Sequence, residues 1–519
     1  MKLSDKIWLI IFVLVGVAFS LWRFWNLTAS CLWFDEIFSV HAAEMDFQNL
    51  FWFVAQDLIH PPLFYVLLKI WISMGGESLF WLRFFSVFFS LISLIPFILL
   101  GRELKLNNST ISLALLFLAA NGCLIKYAQE VRMYSVLLCF ALFSMWLFVR
   151  FLNLGKNIWI LTVLNLLLVY THYFGWLIVL SEILAICILQ RIKIRQMLIM
   201  LGILLLCFAP WVFAVWKAAE INSNLGQNIG WIERPNSAIL FQFLFDLIEP
   251  FYYQLSNVEP TSIFVITVPL WLILLTAFTF YFINWQSQSE TEKRNFYLLS
   301  IFAAFPILPA FIASWFLPYS IWGTRHLIFV FVPFSILSAM ALTKINILPL
   351  KITLFGLTFP PLKIALFGLI FLLFGISFYW QIQRGTPVYI WCAWENLAKG
   401  LDKNNSAKIY VFEDLVAYDM WFALRDAEKN FQIIKVGGIE DLPEDKAYFL
   451  PRGFDKVQTT DENAMTGDRF YIAFRDSVFN EKNPPLRNLI NKGYRIGEPK
   501  VFETPGLKAF LVEIWKDKK

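Results

Sequence analysis

The chain is 519 residues long, 59% hydrophobic and only 16% charged, with a formal net charge of +5. Soluble domains carry about 25% charged residues, so the composition excludes one and points to an integral membrane protein. The basic residues sit beside apolar runs, as topology signals do, which argues against nucleic acid and leaves the lipid bilayer as the expected partner. Of six cysteines, Cys139, Cys187 and Cys207 lie inside apolar runs. No disulfide framework and no CxxC metal spacing is expected.

About eleven runs approach the ~20 residues that a bilayer requires. They cover residues 7–25, 79–100, 109–126, 132–152, 157–174, 175–190, 196–218, 262–284, 296–317, 326–343 and 362–380. The first run ends in Trp22, Arg23, Phe24 and Trp25 with no small-residue cleavage site, so it reads as an anchored helix rather than a signal peptide. The run Pro62–Ser73 is too brief to span comfortably and is expected to lie in the interface, with Lys69 reaching for water. Lys2, Lys6, Arg102, Lys105, Arg150, Lys156, Arg191, Lys193, Arg195, Lys293, Arg294, Lys344 and Lys351 all fall on one face. The positive-inside rule makes that face the cytoplasm. Two long loops, 26–78 and 219–261, then face outward and carry most of the acids near lipid, among them Glu44, Asp46, Asp246 and Glu249.

The fold class expected is mainly α, a polytopic transmembrane helical bundle over residues 1–384. Residues 349–371 hold a short tandem repeat, Pro349 to Phe359 recurring as Pro361 to Phe371, which reads as a lengthened linker. From about residue 385 the apolar runs shrink to strand length, at Ile409–Phe412, Phe431–Val436, Phe470–Phe474 and Ala509–Ile514. Helix-like stretches lie between them, which predicts a small extracytoplasmic α/β domain over 385–519.

Chemistry concentrates on the outer loops. Trp33-Phe34-Asp35-Glu36 follows the first span directly. Ionisable groups at a membrane surface are costly, so Asp35 and Glu36 are candidate reactive carboxylates. The plain alternative is that Asp35 caps a short amphipathic helix through Ile37, Phe38 and Val40. His60-Pro61-Pro62 holds His60 and Asp57 near the surface, or simply starts a helix. Tyr127, Glu130, Arg132 and Tyr134 crowd one outer junction, as a solvated turn or as a cradle for an anionic headgroup. Arg83 and Arg325-His326 bring more cations to the same depth, as anchors or as ligands. His172, in Tyr170-Thr171-His172-Tyr173, sits in a tight outer turn or lines the same cavity.

In this order, Trp33-Phe34-Asp35-Glu36, His60-Pro61-Pro62-Leu63-Phe64-Tyr65, Arg83-Phe84-Phe85-Ser86, Tyr127 to Tyr134, Tyr170-Thr171-His172-Tyr173 and Arg325-His326 resemble the GT-C glycosyltransferases. The likeness is specifically to the bacterial branch akin to protein O-mannosyltransferases and lipid A aminoarabinose transferases. The resemblance implies a membrane enzyme that moves a sugar from a polyprenyl-phosphate donor to a lipid, glycan or protein acceptor on the outer side of the plasma membrane. It implies Asp35 acting at the acceptor, with Glu36 beside it. Arg83, Arg132, Arg325 and His60 would hold the donor phosphate, and Asp57, Tyr127, Glu130, Tyr134, His172 and His326 would line the cavity. The sequence departs from the aminoarabinose transferases in having His60 where they carry Lys, and Met133-Tyr134 near their second acid. No cofactor is assigned; a divalent metal is possible in the family. Two other classes fit the composition: a lipid-linked sugar transporter or flippase, and a non-catalytic assembly protein. A transporter calls for repeat symmetry and paired broken helices, and the sequence shows neither.

Overall fold

A computed structural model describes residues 3–221, 226–251, 263–345, 352–354, 357–359, 361–383, 388–402, 406–437 and 450–516. Lys351, much of the tandem repeat and part of the second outer loop lie outside the described residues. The chain opens with α1 (Leu3–Phe24), α2 (Phe34–Glu44), α3 (Phe47–Asp57), α4 (Leu63–Gly75), α5 (Leu79–Ile92), α6 (Leu94–Glu103) and α7 (Asn108–Ala120). It continues with α8 (Gly122–Gln129), α9 (Tyr134–Leu154), α10 (Ile158–Thr171), α11 (Gly175–Leu189) and α12 (Ile194–Ile221). Then come α13 (Gly226–Ile229), α14 (Ser237–Asp246), α15 (Phe264–Ile283), α16 (Glu290–Ala304), α17 (Ile307–Phe316), α18 (Phe331–Thr343) and α19 (Pro361–Gln383).

Among the described residues, eight helical segments are long and apolar enough to cross a membrane, and the chain is a multi-pass membrane protein. The three other expected spans are helices of 13, 14 and 15 residues: α7, α10 and α11. The run 109–126 breaks because the Asn121 side chain accepts the Leu124 N–H at 2.9 Å and caps a new helix, α8. Arg23, fully buried near the end of α1, donates to Leu118 O at 3.1 Å and Ala119 O at 3.3 Å, carbonyls at the C-terminal end of α7. Lys69 does not reach for water. Its Nζ caps α2, donating to Met45 O at 2.5 Å and Ala43 O at 3.4 Å.

Beyond a short hairpin of β1 (Ile352–Leu354) and β2 (Leu357–Phe359), the C-terminal part carries α20 (Ala393–Ala398), β3 (Ala407–Val411), α21 (Asp414–Leu424) and β4 (Phe431–Gly437). These are followed by β5 (Gln458–Asp461), β6 (Arg469–Asp476), α22 (Leu486–Asn491), β7 (Arg495–Ile496), β8 (Lys500–Thr504) and β9 (Leu507–Trp515). One sheet runs in the order β5-β4-β3-β6-β9-β7, with β8 also pairing β9. The β5-β4-β3-β6 pairs are parallel and the pairs to β9 are antiparallel. All four strands read from apolar runs are present. The three others, β5, β7 and β8, are short or mostly exposed and offer no apolar run to read.

The sheet unit is fastened to the stretch between α1 and α5. Cys31 and Cys392 form a disulfide across 361 residues of sequence, which corrects the expectation of none. Arg425 sits 3.3 Å from Glu44 and 2.9 Å from Glu77. His41 Nδ1 is 2.8 Å from the Tyr418 hydroxyl, with Phe53, Trp421 and Phe454 packed around its ring.

Candidate active site

The two adjacent carboxylates of α2 have different fates. Trp33 precedes the helix, and its N–H is accepted by Glu36 Oε2 at 3.2 Å. Asp35 is therefore inside the first turn, and it is not the helix cap. Glu36 is fully buried and accepts three more bonds: from Arg83 Nε at 3.3 Å, Arg83 Nη2 at 3.1 Å and Val131 N at 2.8 Å. Arg83 spends its remaining N–H groups on Leu27 O, Ser30 O and Cys31 O, at 2.6–2.9 Å. A guanidinium has five donors, and all five are used here. The geometry leaves Arg83 no donor for a phosphate and Glu36 no access to an acceptor. The pair instead ties residues 27–36 to α5 and to the turn before α9.

Asp35, one residue earlier, turns about 100° away around the helix. Its Oδ2 lies 3.6 Å from Arg132 Nη2 and 3.9 Å from Arg325 Nη1. The carboxylate keeps 26% of its side-chain surface exposed and Arg325 keeps 16%, while Arg132 is buried. Arg132 is aimed by its other nitrogen, which donates to Asp35 O and Ser39 Oγ, both at 3.1 Å. Arg325 follows Thr324, whose hydroxyl donates to Asp246 Oδ2 at 3.1 Å, so the second outer loop sets its position.

His60 stands on the other side of Arg132, with Nε2 at 3.5 Å from Nη2. Its Nδ1 donates to Asp57 Oδ2 at 3.2 Å, which leaves Nε2 as the acceptor. Burial pulls the His60 imidazole below its ordinary range, against the opposing pull of Asp57, so the ring is neutral near pH 7. Asp57 is held in turn by Asn228 Nδ2 at 2.7 Å, and Arg452 Nη1 donates to Gln56 O at 2.7 Å.

Three of the four histidines gather here. The ring centroids of His60 and His172 are 5.8 Å apart and those of His172 and His326 are 5.3 Å apart. His326 Nδ1 faces Ile321 O at 3.1 Å, so it carries the proton and Nε2 is an acceptor. His172 Nδ1 accepts the Phe174 N–H at 3.0 Å, so a neutral ring presents Nε2–H. Tyr134 lies against both rings, with Arg325 over its face at 5.9 Å, and Tyr127 packs edge-on behind it. Glu130 is next to Lys126, at 3.9 Å. Among the described residues, the buried hydroxyls of Tyr65 and Tyr134 and the Arg132 Nε–H have no hydrogen-bond partner. Such groups are costly to leave unmet, and they fit a site completed by substrate. Among the described residues no three His, Cys, Asp or Glu are grouped to hold a metal ion.

Sequence reasoning thus placed Asp35, Arg132, Arg325, His60, His172, His326 and Tyr134 together, and misassigned Arg83 and Glu36. It missed Tyr65, Ser39, Asn228 and Arg452. Tyr65 was within reach: it closes the His60-to-Tyr65 motif that carries part of the resemblance.

The fold as a whole resembles that of solved structures along nearly its full length. The solved structures it resembles include ArnT from Cupriavidus metallidurans in the apo state, with TM-score 0.56, 12% identity, and 98% of each chain covered. ArnT from the same organism bound to undecaprenyl phosphate gives TM-score 0.56 and 12% identity over 97% of this chain and 98% of that one. An Archaeoglobus fulgidus oligosaccharyltransferase complex with Zn and sulfate matches at TM-score 0.45 and 11% identity, covering 84% of this chain and 62% of that one. No family model matches the sequence, and no curated protein matches it.

Proposed function

We propose that the protein is a membrane glycosyltransferase that moves a hexose or pentose from a polyprenyl-phosphate donor to a lipid, glycan or protein acceptor, on the extracytoplasmic face of the plasma membrane and with inversion. The observation that carries this is the Asp35 carboxylate set between Arg132 and Arg325. The likeness of the fold to an ArnT structure solved with undecaprenyl phosphate supports the donor class. Before substrate binds, the two guanidinium groups neutralise Asp35. A donor phosphate competes for them and releases the carboxylate to the acceptor.

Asp35 then takes the acceptor hydroxyl proton as its oxygen attacks the anomeric carbon. The bond from that carbon to the phosphate oxygen breaks, and its electron pair leaves on the polyprenyl phosphate. Arg132 and Arg325 stabilise that charge as it develops. One base and one displacement invert the anomeric centre. His172 Nε2–H, His326 Nε2 and the Tyr65 and Tyr134 hydroxyls supply donors and acceptors for sugar hydroxyls.

The outward orientation is supported by the Lys/Arg distribution. It is supported also by the Cys31–Cys392 bond beside Asp35, because disulfides persist in oxidising compartments. The test is to incubate purified protein in detergent with labelled polyprenyl-phosphate sugars. Consumption of one of them, lost in Asp35→Asn, is the expected result; no turnover of any such donor by folded wild type refutes the reading.

A further inference from the structure

The end of the bundle opposite Asp35 holds a second polar cavity of about 320 Å³, between the α6–α7 turn and the ends of α15, α16 and α18. It lies roughly 25–30 Å from Arg325, the length of α18 and its lead-in at 1.5 Å per residue. Two helices begin at its wall. Asn107 caps α7 and Ser289 caps α16, so two helix N-termini border the space, beside the C-terminal ends of α6, α15 and α18. Lys105 lines it as well, and among the described residues its ammonium has no hydrogen-bond or ion-pair partner. Lys344 also lines it, 2.6 Å from Glu292, whose other oxygen accepts from Ser289 N and Oγ. The acid is thus satisfied inside the wall and Lys105 remains uncompensated.

Two buried polar atoms in the lining await a partner. Asn295 is 1% exposed, and its Nδ2 donates to Leu104 O at 2.6 Å. That bond fixes the amide's orientation, and Oδ1 is left with no hydrogen bond. The Tyr281 hydroxyl, on a residue also 1% exposed, has none either. An unmet buried acceptor asks for a donor, which a phosphodiester does not itself supply. Phe282 and Ile283 follow Tyr281 directly and are exposed, giving an apolar surface at the cavity's edge.

From these observations we infer that the cavity is a binding site for the headgroup of an anionic phosphoglycerol lipid. The phosphate meets Lys105 and the two helix N-termini, a glycerol hydroxyl donates to Asn295 Oδ1 beside Tyr281, and an acyl chain lies along Phe282 and Ile283. A net negative headgroup is favoured over a zwitterionic one because Lys105 lacks a counter-charge. Basic pockets between helix ends at a membrane surface bind acidic headgroups for this reason. The inference stands whatever reaction the Asp35 end performs.

The experiment uses the full chain in nanodiscs containing equimolar phosphatidylglycerol, phosphatidylethanolamine and phosphatidylcholine, with bound lipid counted by native mass spectrometry after release into detergent. Wild type is expected to retain phosphatidylglycerol selectively. Lys105 has φ +54° and is exposed. Lys105→Asn suits that left-handed backbone, since Asn tolerates it well, and it removes the charge without threatening the fold. It should lower retention about fivefold, and Lys105→Glu about tenfold or more. Lys217→Glu, an exposed change elsewhere in the bundle, should retain lipid as wild type does. Equal retention of the three lipids, or no loss in either Lys105 variant, overturns the inference. Displacement by millimolar glycerol 3-phosphate as complete as by phosphatidylglycerol would assign the site to a soluble phosphate and overturn the lipid source.

Discussion

Neighbouring carboxylates with opposite duties give the sharpest test. Glu36→Gln replaces a buried anion that accepts four hydrogen bonds, two of them from Arg83. The amide presents an NH₂ to groups that are all donors, and it strips a buried guanidinium of its only carboxylate among the described residues. Breaking one side of a buried ion pair costs about 3–5 kcal/mol, enough to lower the melting temperature of a chain this long by roughly 3–5 °C. Asp35→Asn alters a partly exposed carboxylate whose nearest guanidinium nitrogens are 3.6 and 3.9 Å away, and it removes no cap, so its cost to the fold should stay well below that of Glu36→Gln. The amide cannot take a proton, and loss of a general base costs about 10²–10⁴-fold in rate. The assay is sugar transfer from a synthetic polyprenyl-phosphate donor beside a melting curve in the same detergent. Asp35→Asn should be folded and inactive, and Glu36→Gln should be unstable. Wild-type turnover by Asp35→Asn, or an unshifted melt with lost turnover in Glu36→Gln, would refute the division of roles.

Other perturbations have equally definite signs. Arg132→Lys keeps the charge but loses the fork that spans Asp35, Ser39 and His60, so turnover should fall at least tenfold with saturation needing more donor; unchanged kinetics would remove Arg132 from the donor site. Burial, aided by Arg425 and Lys456, lowers His41 to about 4, while burial raises Glu44 to about 7. Unfolded chains protonate His near 6.5, so the His41 contribution is full above that and fades as pH falls towards 4; the Glu44 contribution is full below 4.5 and fades as pH rises through 7. Glu44→Gln should therefore melt higher at pH 6.5 than at pH 5, and His41→Gln should show the reverse; parallel profiles would refute this. Alkylation before and after reduction should reveal two further thiols, and Cys31→Ser should expose Cys392 to the reagent; equal labelling before and after reduction would exclude the bond. Glu182 bridges Ser144 and Asn165, at 2.6 and 2.7 Å, across three apolar helices. Ser144 Oγ also reaches Asn165 Oδ1 at 2.6 Å, so Glu182→Leu leaves mainly the Asn165 amide N–H under-satisfied and should cost about 1 kcal/mol; an unshifted melt would contradict it.

Much of the bundle was legible because a membrane helix announces itself by length and hydropathy. The strands β3, β4, β6 and β9 were legible because buried strands are short apolar runs. The gathering of Asp35, Arg132 and Arg325 was legible because each sits where an apolar run ends on the same side. What sequence withheld was the choice between Asp35 and Glu36. The two differ by one position on a helix, and the partner that decides is Arg83, 47 residues away. The arginine's own duty was hidden for the same reason: carbonyls at Leu27, Ser30 and Cys31 carry no side-chain signal. Nothing local links Cys31 to Cys392, or Arg452 to the backbone of Gln56 and Asp57.

That last contact bears on how the molecule comes into being. Asp57 orients His60, and the carbonyl beside it is gripped by Arg452, which is translated some 400 residues after α2 has left the ribosome. At about 5–20 residues per second, roughly 20–80 s separate the two. During that interval the loop between α1 and α5 lacks the arginine that secures its far end, so the placing of Asp57 and His60 is completed only after the C-terminal sheet unit has been made.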